Sequence, residues 1–175
     1  ETINITTTDG DAIAQTMAIT TPITAAAATT VTVAGNMGVN LLGGMTQTTL
    51  TSLDASGLTA TGVFGGLTWT SGALAAAATV KGSAAGYNTI DFSAATKAVT
   101  YTGGTGADII NFAAANTQAN VITLGDGLNI VNGGTNANGN NTITGGAGVD
   151  TITVGTGNNT ISGGAGADVI TVGSG

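Results

Sequence analysis

Eight aspartates and Glu1 are the only acids of this 175-residue chain, and Lys81 and Lys97 are its only cations. Histidine and cysteine are absent. That removes an imidazole base, a thiolate nucleophile, nitrogen–sulfur zinc sites and disulfides. Neither a Ser-His-Asp triad nor a His-Glu-x-x-His helix can be assembled, so we expect no enzyme here. Any catalytic part of a secreted protease or lipase would lie outside these residues. Two lysines without arginine give no electrostatic footprint for nucleic acid or an anionic membrane. What remains is the binding of a hard cation by oxygen ligands, above all calcium.

Three aspartates sit in the same nine-residue frame. The frame reads Gly103-Gly104-Thr105-Gly106-Ala107-Asp108-Ile109-Ile110-Asn111, then Gly145-Gly146-Ala147-Gly148-Val149-Asp150-Thr151-Ile152-Thr153, then Gly163-Gly164-Ala165-Gly166-Ala167-Asp168-Val169-Ile170-Thr171. Weaker copies run Ala115 to Thr123, Leu124 to Asn132, Asn136 to Thr144 and Val154 to Ser162, each with an apolar eighth residue: Ile122, Val131, Ile143 and Ile161. A nonamer of this kind divides into a six-residue turn and a three-residue strand whose eighth residue points inward. Two nonamers then make one coil, and coils stack by parallel pairing at about 4.8 Å.

Alternate turns fall on opposite flanks. One flank collects Asp108, Asn129, Asp150 and Asp168 at the sixth place; the other collects Asn120, Asn141 and Asn159. The insertions Phe112-Ala113-Ala114 and Gly133-Gly134-Thr135 precede Asn-side turns and leave the Asp flank in register. Carbonyls that fold inward around an ion require positive φ, which glycine adopts cheaply, so glycine at the first, second and fourth places is expected on steric grounds. Stacked aspartates repel unless a cation lies between them, and no Lys or Arg follows Gly103.

The frame resembles G-G-x-G-x-D-x-U-x, the pattern of calcium-binding parallel β-helices of the RTX type. In that family the second and fourth carbonyls and the Asp of one turn combine with the first and third carbonyls and the Asp of the next. The resemblance therefore implies a site from Gly146, Gly148 and Asp150 with Gly163, Ala165 and Asp168. It implies a second from Gly104, Gly106 and Asp108 with Leu124, Asp126 and Asn129. A third would join Gly125, Gly127 and Asn129 to Gly145, Ala147 and Asp150. In the last two, Leu124 replaces Gly and Asn129 replaces Asp, and Asp126 restores the charge.

The elements that must hold these turns are strands. The chain has 35 Thr with many Ala, Val and Ile, which favours strands, and only 3% aromatic residues, which points to a long thin core. Ile and Val fall in register, which a disordered Gly/Thr tract would not require. Upstream of residue 102 the period is looser, with strands expected at Glu1–Thr6, Met17–Thr20, Thr30–Ala34, Val39–Leu42, Thr51–Asp54, Leu67–Thr70, Thr79–Lys81, Thr89–Phe92 and Val99–Thr102. Upstream spacings of about ten residues fit a sandwich or an irregular solenoid, and the solenoid is preferred because its last coil passes into the repeat without an unpaired face. We expect an all-β fold: a right-handed parallel β-helix, irregular over residues 1–102, continuing into a calcium-binding RTX β-roll over 103–175. Asp9 and Asp11, in Thr8-Asp9-Gly10-Asp11, read as a hydrophilic turn, with a further calcium site as the alternative. Ala73-Leu74-Ala75-Ala76-Ala77-Ala78 is too short to span a bilayer. No signal peptide opens the chain, and Val172-Gly173-Ser174-Gly175 stops within a repeat, so an excerpt of a longer polypeptide is expected.

A closer resemblance runs through most of the chain. Glu1-Thr2-Ile3-Asn4-Ile5, Val31-Thr32-Val33-Ala34-Gly35-Asn36, Leu53-Asp54-Ala55-Ser56 and Gly103 to Asp108 follow in an order similar to the C-terminal crystallisation region of Caulobacter-type RTX surface-layer proteins. That resemblance implies a structural protein on the surface of a Gram-negative bacterium, exported by type I secretion and self-assembling in calcium as a lattice or filament. Cell-surface polysaccharide would be contacted through regions outside this chain. An RTX adhesin, an ice-binding module or the repeat tail of a secreted RTX enzyme is the alternative. Val154-Gly155-Thr156-Gly157-Asn158-Asn159 resembles the turn of calcium-dependent ice binders.

Overall fold

The computed structural model describes residues 1–11, 15–20, 23–24, 27–41, 48–113, 117–134 and 139–173. Among these residues there are sixteen strands and no helix. In chain order they are β1 (Thr2–Thr7), β2 (Thr16–Ala18), β3 (Thr30–Gly35), β4 (Gly38–Asn40), β5 (Ser52–Leu58), β6 (Leu67–Thr70), β7 (Ala78–Lys81), β8 (Asn88–Phe92), β9 (Val99–Thr102), β10 (Asp108–Phe112), β11 (Val121–Thr123), β12 (Ile130–Asn132), β13 (Thr142–Ala147), β14 (Thr151–Val154), β15 (Thr160–Ala165) and β16 (Val169–Val172).

Odd-numbered strands form one parallel eight-stranded sheet and even-numbered strands form the other. Each consecutive odd–even pair is one coil of a β-solenoid, as the alternation of turns and short strands predicts. Both sheets cross residue 102 without a break, since β7 pairs with β9, β9 with β11, and β8 with β10. What changes there is the composition of the turns.

The core lies between the sheets as two facing stacks. Val31, Leu53, Val80, Tyr101, Ile122 and Ile143 are successive register partners in the odd sheet, and all are buried. Trp69, Ile90, Ile110, Val131 and Ile152 play the same part in the even sheet. The inward side chains alternate with outward Thr and Asn because strand side chains alternate in direction. Aromatics are gathered in the middle coils, from Phe64 to Phe112: Phe92 packs edge-on against Trp69 at 6.0 Å and stacks on Phe112 at 5.5 Å.

The structure departs from the sequence expectation in strand length. β13 and β15 run past their three-residue strands into the following turns, because Gly146 and Ala147 register with Gly164 and Ala165. Consecutive turns thus pair with each other as well as their strands. β5 extends to Leu58 through a register shift opposite Thr32 and Ala34, which accommodates an extra residue near Ser56. Of the residues named from sequence, Leu42, Ala114, Ala115, Thr135, Asn136, Ser174 and Gly175 lie outside the described residues.

Candidate metal site in the stacked turns

The sixth-place residues form two hydrogen-bonded ladders along the solenoid axis. On one flank each side-chain Oδ1 accepts from a backbone N–H one coil earlier. Asn88 Oδ1 accepts from Leu67 at 3.0 Å, Asp108 Oδ1 from Asn88 at 3.3 Å, and Asn129 Oδ1 from Asp108 at 2.9 Å. Asp150 Oδ1 then accepts from Asn129, and Asp168 Oδ1 from Asp150, each at 3.0 Å. On the other flank Asn120, Asn141 and Asn159 serve the N–H groups of Val99, Asn120 and Asn141 at 3.0, 3.2 and 2.9 Å. A buried N–H at the start of a strand needs an acceptor, and a short side chain carrying Oδ1 reaches it.

The remaining side-chain atom distinguishes the residues. Asn129 Nδ2 donates into its own turn, towards the carbonyls of Gly125, Asp126 and Gly127 at 3.2 to 3.5 Å. Asn159 Nδ2 does the same to Gly155 and Gly157, and Asn141 Nδ2 to Gly139. Asp150 has an acceptor in that place. Its Oδ2 is fully buried and has no hydrogen-bond partner. A Cβ built on Gly145 would collide with both Asp150 Oδ2 and the Gly163 carbonyl oxygen, so two oxygens from consecutive turns converge beside Gly145. A Cβ on Gly163 would collide in the same way with Asp168 Oδ2.

Second- and fourth-place carbonyls point along the axis. Those of Gly146 and Gly148 face Gly164 and Gly166 of the next turn so closely that neither position could carry a Cβ. Gly146 and Gly148 adopt φ of 124° and 129°, a region that side chains other than glycine avoid. The first-place glycines behave differently from the expectation: Gly145 and Gly163 are not at positive φ, and they are required for space against the aspartate. Ala165 and Ala147, proposed as third-place ligands, already accept N–H bonds from Gly148 and Gly127, both at 2.8 Å.

The donor set around Asp150 suits a hard cation: carboxylate and carbonyl oxygens, with no nitrogen or sulfur ligand. Among the described residues no three acidic side chains cluster, so backbone carbonyls would supply most of the ligands. The residues of the first proposed site are brought together, since Gly146, Gly148 and Asp150 stack directly under Gly164, Gly166 and Asp168. Residues 137–160 and 144–175 match the RTX calcium-binding nonapeptide repeat, 4 copies. Such repeats bind calcium, and the match takes in the whole Asp150–Asp168 turn pair. No curated protein and no solved structure matches the chain.

Upstream of the RTX match the turns are built otherwise. Asp108 is buried, and both its oxygens are engaged: Oδ1 by Asn88 Nδ2 at 2.8 Å and Oδ2 by the Tyr101 hydroxyl at 2.9 Å. Burial pushes its carboxyl up to about 6, against hydrogen bonds from Asn88 and Tyr101 that pull it down. Gly104 and Gly106 are not at positive φ. Leu124, Asp126 and Gly127 lie in the Asn129 turn, where the amide fills the centre and Asp126 and Leu124 donate N–H bonds to Gly104 and Thr144. Asp9 and Asp11 form an Asx turn, Asp11 N–H donating to Asp9 Oδ1 at 3.0 Å.

Two participants were not singled out from sequence. Asn88 is a ladder rung, and a signal for it exists: Ser83 to Asp91 carries Gly86, Asn88 and Ile90 at the fourth, sixth and eighth places, one coil ahead of Gly103. Tyr101 sits on the opposite strand of the coil that contains Asp108, and nothing in the nonamer pattern points to it.

Proposed function

We propose that the chain is a calcium-ordered structural segment of an extracellular, self-assembling surface-layer protein. The observation that carries the calcium part is the buried, partnerless Oδ2 of Asp150 facing the Gly163 carbonyl inside the RTX match. Asp150, Gly146, Gly148, Gly163 and Asp168 would hold the ion. When bound, it supplies positive charge against carboxylates that the chain does not neutralise with any cation after Lys97. These residues are poor at stacking alone and good at stacking around charge, so folding of this region is coupled to binding. Extracellular calcium modules work at about 10⁻⁴–10⁻³ M, a level suited to a chain that is exported loose and ordered outside.

Support for assembly comes from the surface. Ile109 and Ile130 on the outer face of the even sheet, with Val63, Tyr87 and Leu128 from the turns that precede its strands, are exposed around a groove of about 350 Å³. Among the described residues no charged side chain lines it. A face of this kind suits packing against neighbouring subunits. The test is a calcium titration followed by circular dichroism and by electron microscopy of the assembled protein. Strand signal and particles indifferent to chelator would defeat the reading; a calcium-dependent two-dimensional lattice is the result expected.

One observation favours the ice-binding alternative. Thr100 and Thr102, Val121 and Thr123, Thr142 and Thr144, and Thr160 and Ser162 form two exposed ranks on the odd sheet, in register across four strands. Their spacing is about 4.8 Å between strands and about 6.6 Å along them. The array lies on a sheet face, and not on the Asn flank that the turn resemblance suggested. Thermal hysteresis in the presence of calcium decides between the two.

A further inference from the structure

Every turn on the two ladders has to answer the same question: what fills the space enclosed by its carbonyls? In the Asn129 turn a side-chain N–H₂ fills it, shared among three carbonyls. In the Asn88 turn Nδ2 bonds Ser83 and Gly86 carbonyls at 3.2 and 3.3 Å. The turns of Asn120, Asn141 and Asn159 are closed likewise, through Gln118, Gly139 and Gly155. Asp108 is satisfied by a phenol and an amide. Only at Asp150, among the described residues, does a buried ladder side chain present an oxygen with nothing to bond it.

We infer that the asparagine amide takes the place of the cation, turn by turn, so that β1–β12 form a metal-independent solenoid and calcium governs only β13–β16. The amide and the ion are alternatives because they meet the same need. Each places positive character among inward carbonyls, the amide through two N–H dipoles and the ion through full charge. The Asn129 turn makes the case sharpest. Gly125 and Gly127 have φ of 90° and 103°, the same positive region as Gly146 and Gly148, so the cradle is the RTX one with its centre occupied by protein. Exchange of one atom, nitrogen for oxygen, converts a self-closed turn into one that needs a ligand. The second and third sites implied by the sequence resemblance are closed in this way.

This inference rests on the calcium reading above, and the experiment separates them. Hydrogen exchange of the full chain is measured peptide by peptide in calcium and in chelator, beside calorimetric calcium titration. The expected result is equal protection of β1–β12 in both conditions and at least about tenfold faster exchange of β13–β16 in chelator. Loss of protection along the whole chain, with calcium uptake intact, overturns the division. Absence of calcium uptake at millimolar concentration overturns the calcium reading itself. Two variants move the boundary in opposite directions. Asn129→Asp should make β11 and β12 chelator-sensitive; Asp150→Asn should make β13 and β14 chelator-insensitive. An Asp150→Asn chain that still needs calcium throughout β13 and β14 would refute the equivalence of amide and ion, whatever the folding of the first variant.

Discussion

The Tyr101 hydroxyl donates to Asp108 Oδ2 across 2.9 Å, tying the two strands of one coil together through its interior. Burial raises the Asp108 carboxyl from its ordinary value of 3.8 to about 6. A raised folded-state value means that the folded chain holds the proton more tightly than the unfolded one. Stability contributed by this group is therefore greatest at low pH and falls as pH rises from about 4 to about 6. At about 1.4 kcal/mol per pH unit, the loss comes to about 3 kcal/mol. Chemical denaturation in chelator at pH 4.5 and 7 should show about 2 kcal/mol of that decline, since pH 4.5 already lies above the unfolded value, and Asp108→Asn should remove the slope and stabilise the chain at pH 7.

Asp150→Ala and Asp168→Ala, together, should raise the calcium concentration needed for ordering. Each tenfold increase corresponds to about 1.4 kcal/mol of lost binding contribution. A circular-dichroism titration identical to that of the unaltered chain would mean that the ion is held elsewhere.

Gly145→Ala tests the space between the turns. The added methyl would occupy the point where Asp150 Oδ2 and the Gly163 carbonyl converge, and Gly145 has no positive φ that the substitution would strain. Calcium affinity should fall by about tenfold or more, a change of at least about 1.4 kcal/mol, with less effect on stability in chelator. Equal loss in both conditions would count against a cation at this point.

Asn120→Ala removes a rung from the opposite ladder and leaves the Val99 N–H without its acceptor at 3.0 Å. A buried donor left unsatisfied costs about 1–3 kcal/mol. The loss should appear equally with and without calcium, measured by urea denaturation.

Strand positions were legible because each depends on local alternation: Val99–Thr102 and Leu67–Thr70 are bounded in the structure as the sequence predicts. The inward eighth place was legible for the same reason, as Ile110, Ile122, Val131, Ile143 and Ile152 show by their burial. The assignment of Asp and Asn to two flanks required only counting. What filled each turn was not legible, because it depends on atoms that meet across coils. Asn129 and Asp150 occupy equivalent places, yet one closes its turn and the other leaves an oxygen bare. Tyr101 reaches Asp108 from the facing sheet, a contact that no one-dimensional period encodes. The glycines at first place were expected for the right residue and the wrong reason: room for a carboxylate, and not a left-handed backbone.

Neighbouring rungs of the ladders are separated by 18, 20 or 21 residues, yet each is joined to the next by the same Oδ1-to-N–H bond of 2.9 to 3.3 Å. The pitch of the solenoid is thus independent of its contour length. Residues can be added to a coil and bulge sideways at a turn while the axial repeat stays fixed. A lineage carrying such a scaffold can vary the outline of each coil, and whatever its rim touches, without disturbing the alignment of the stack.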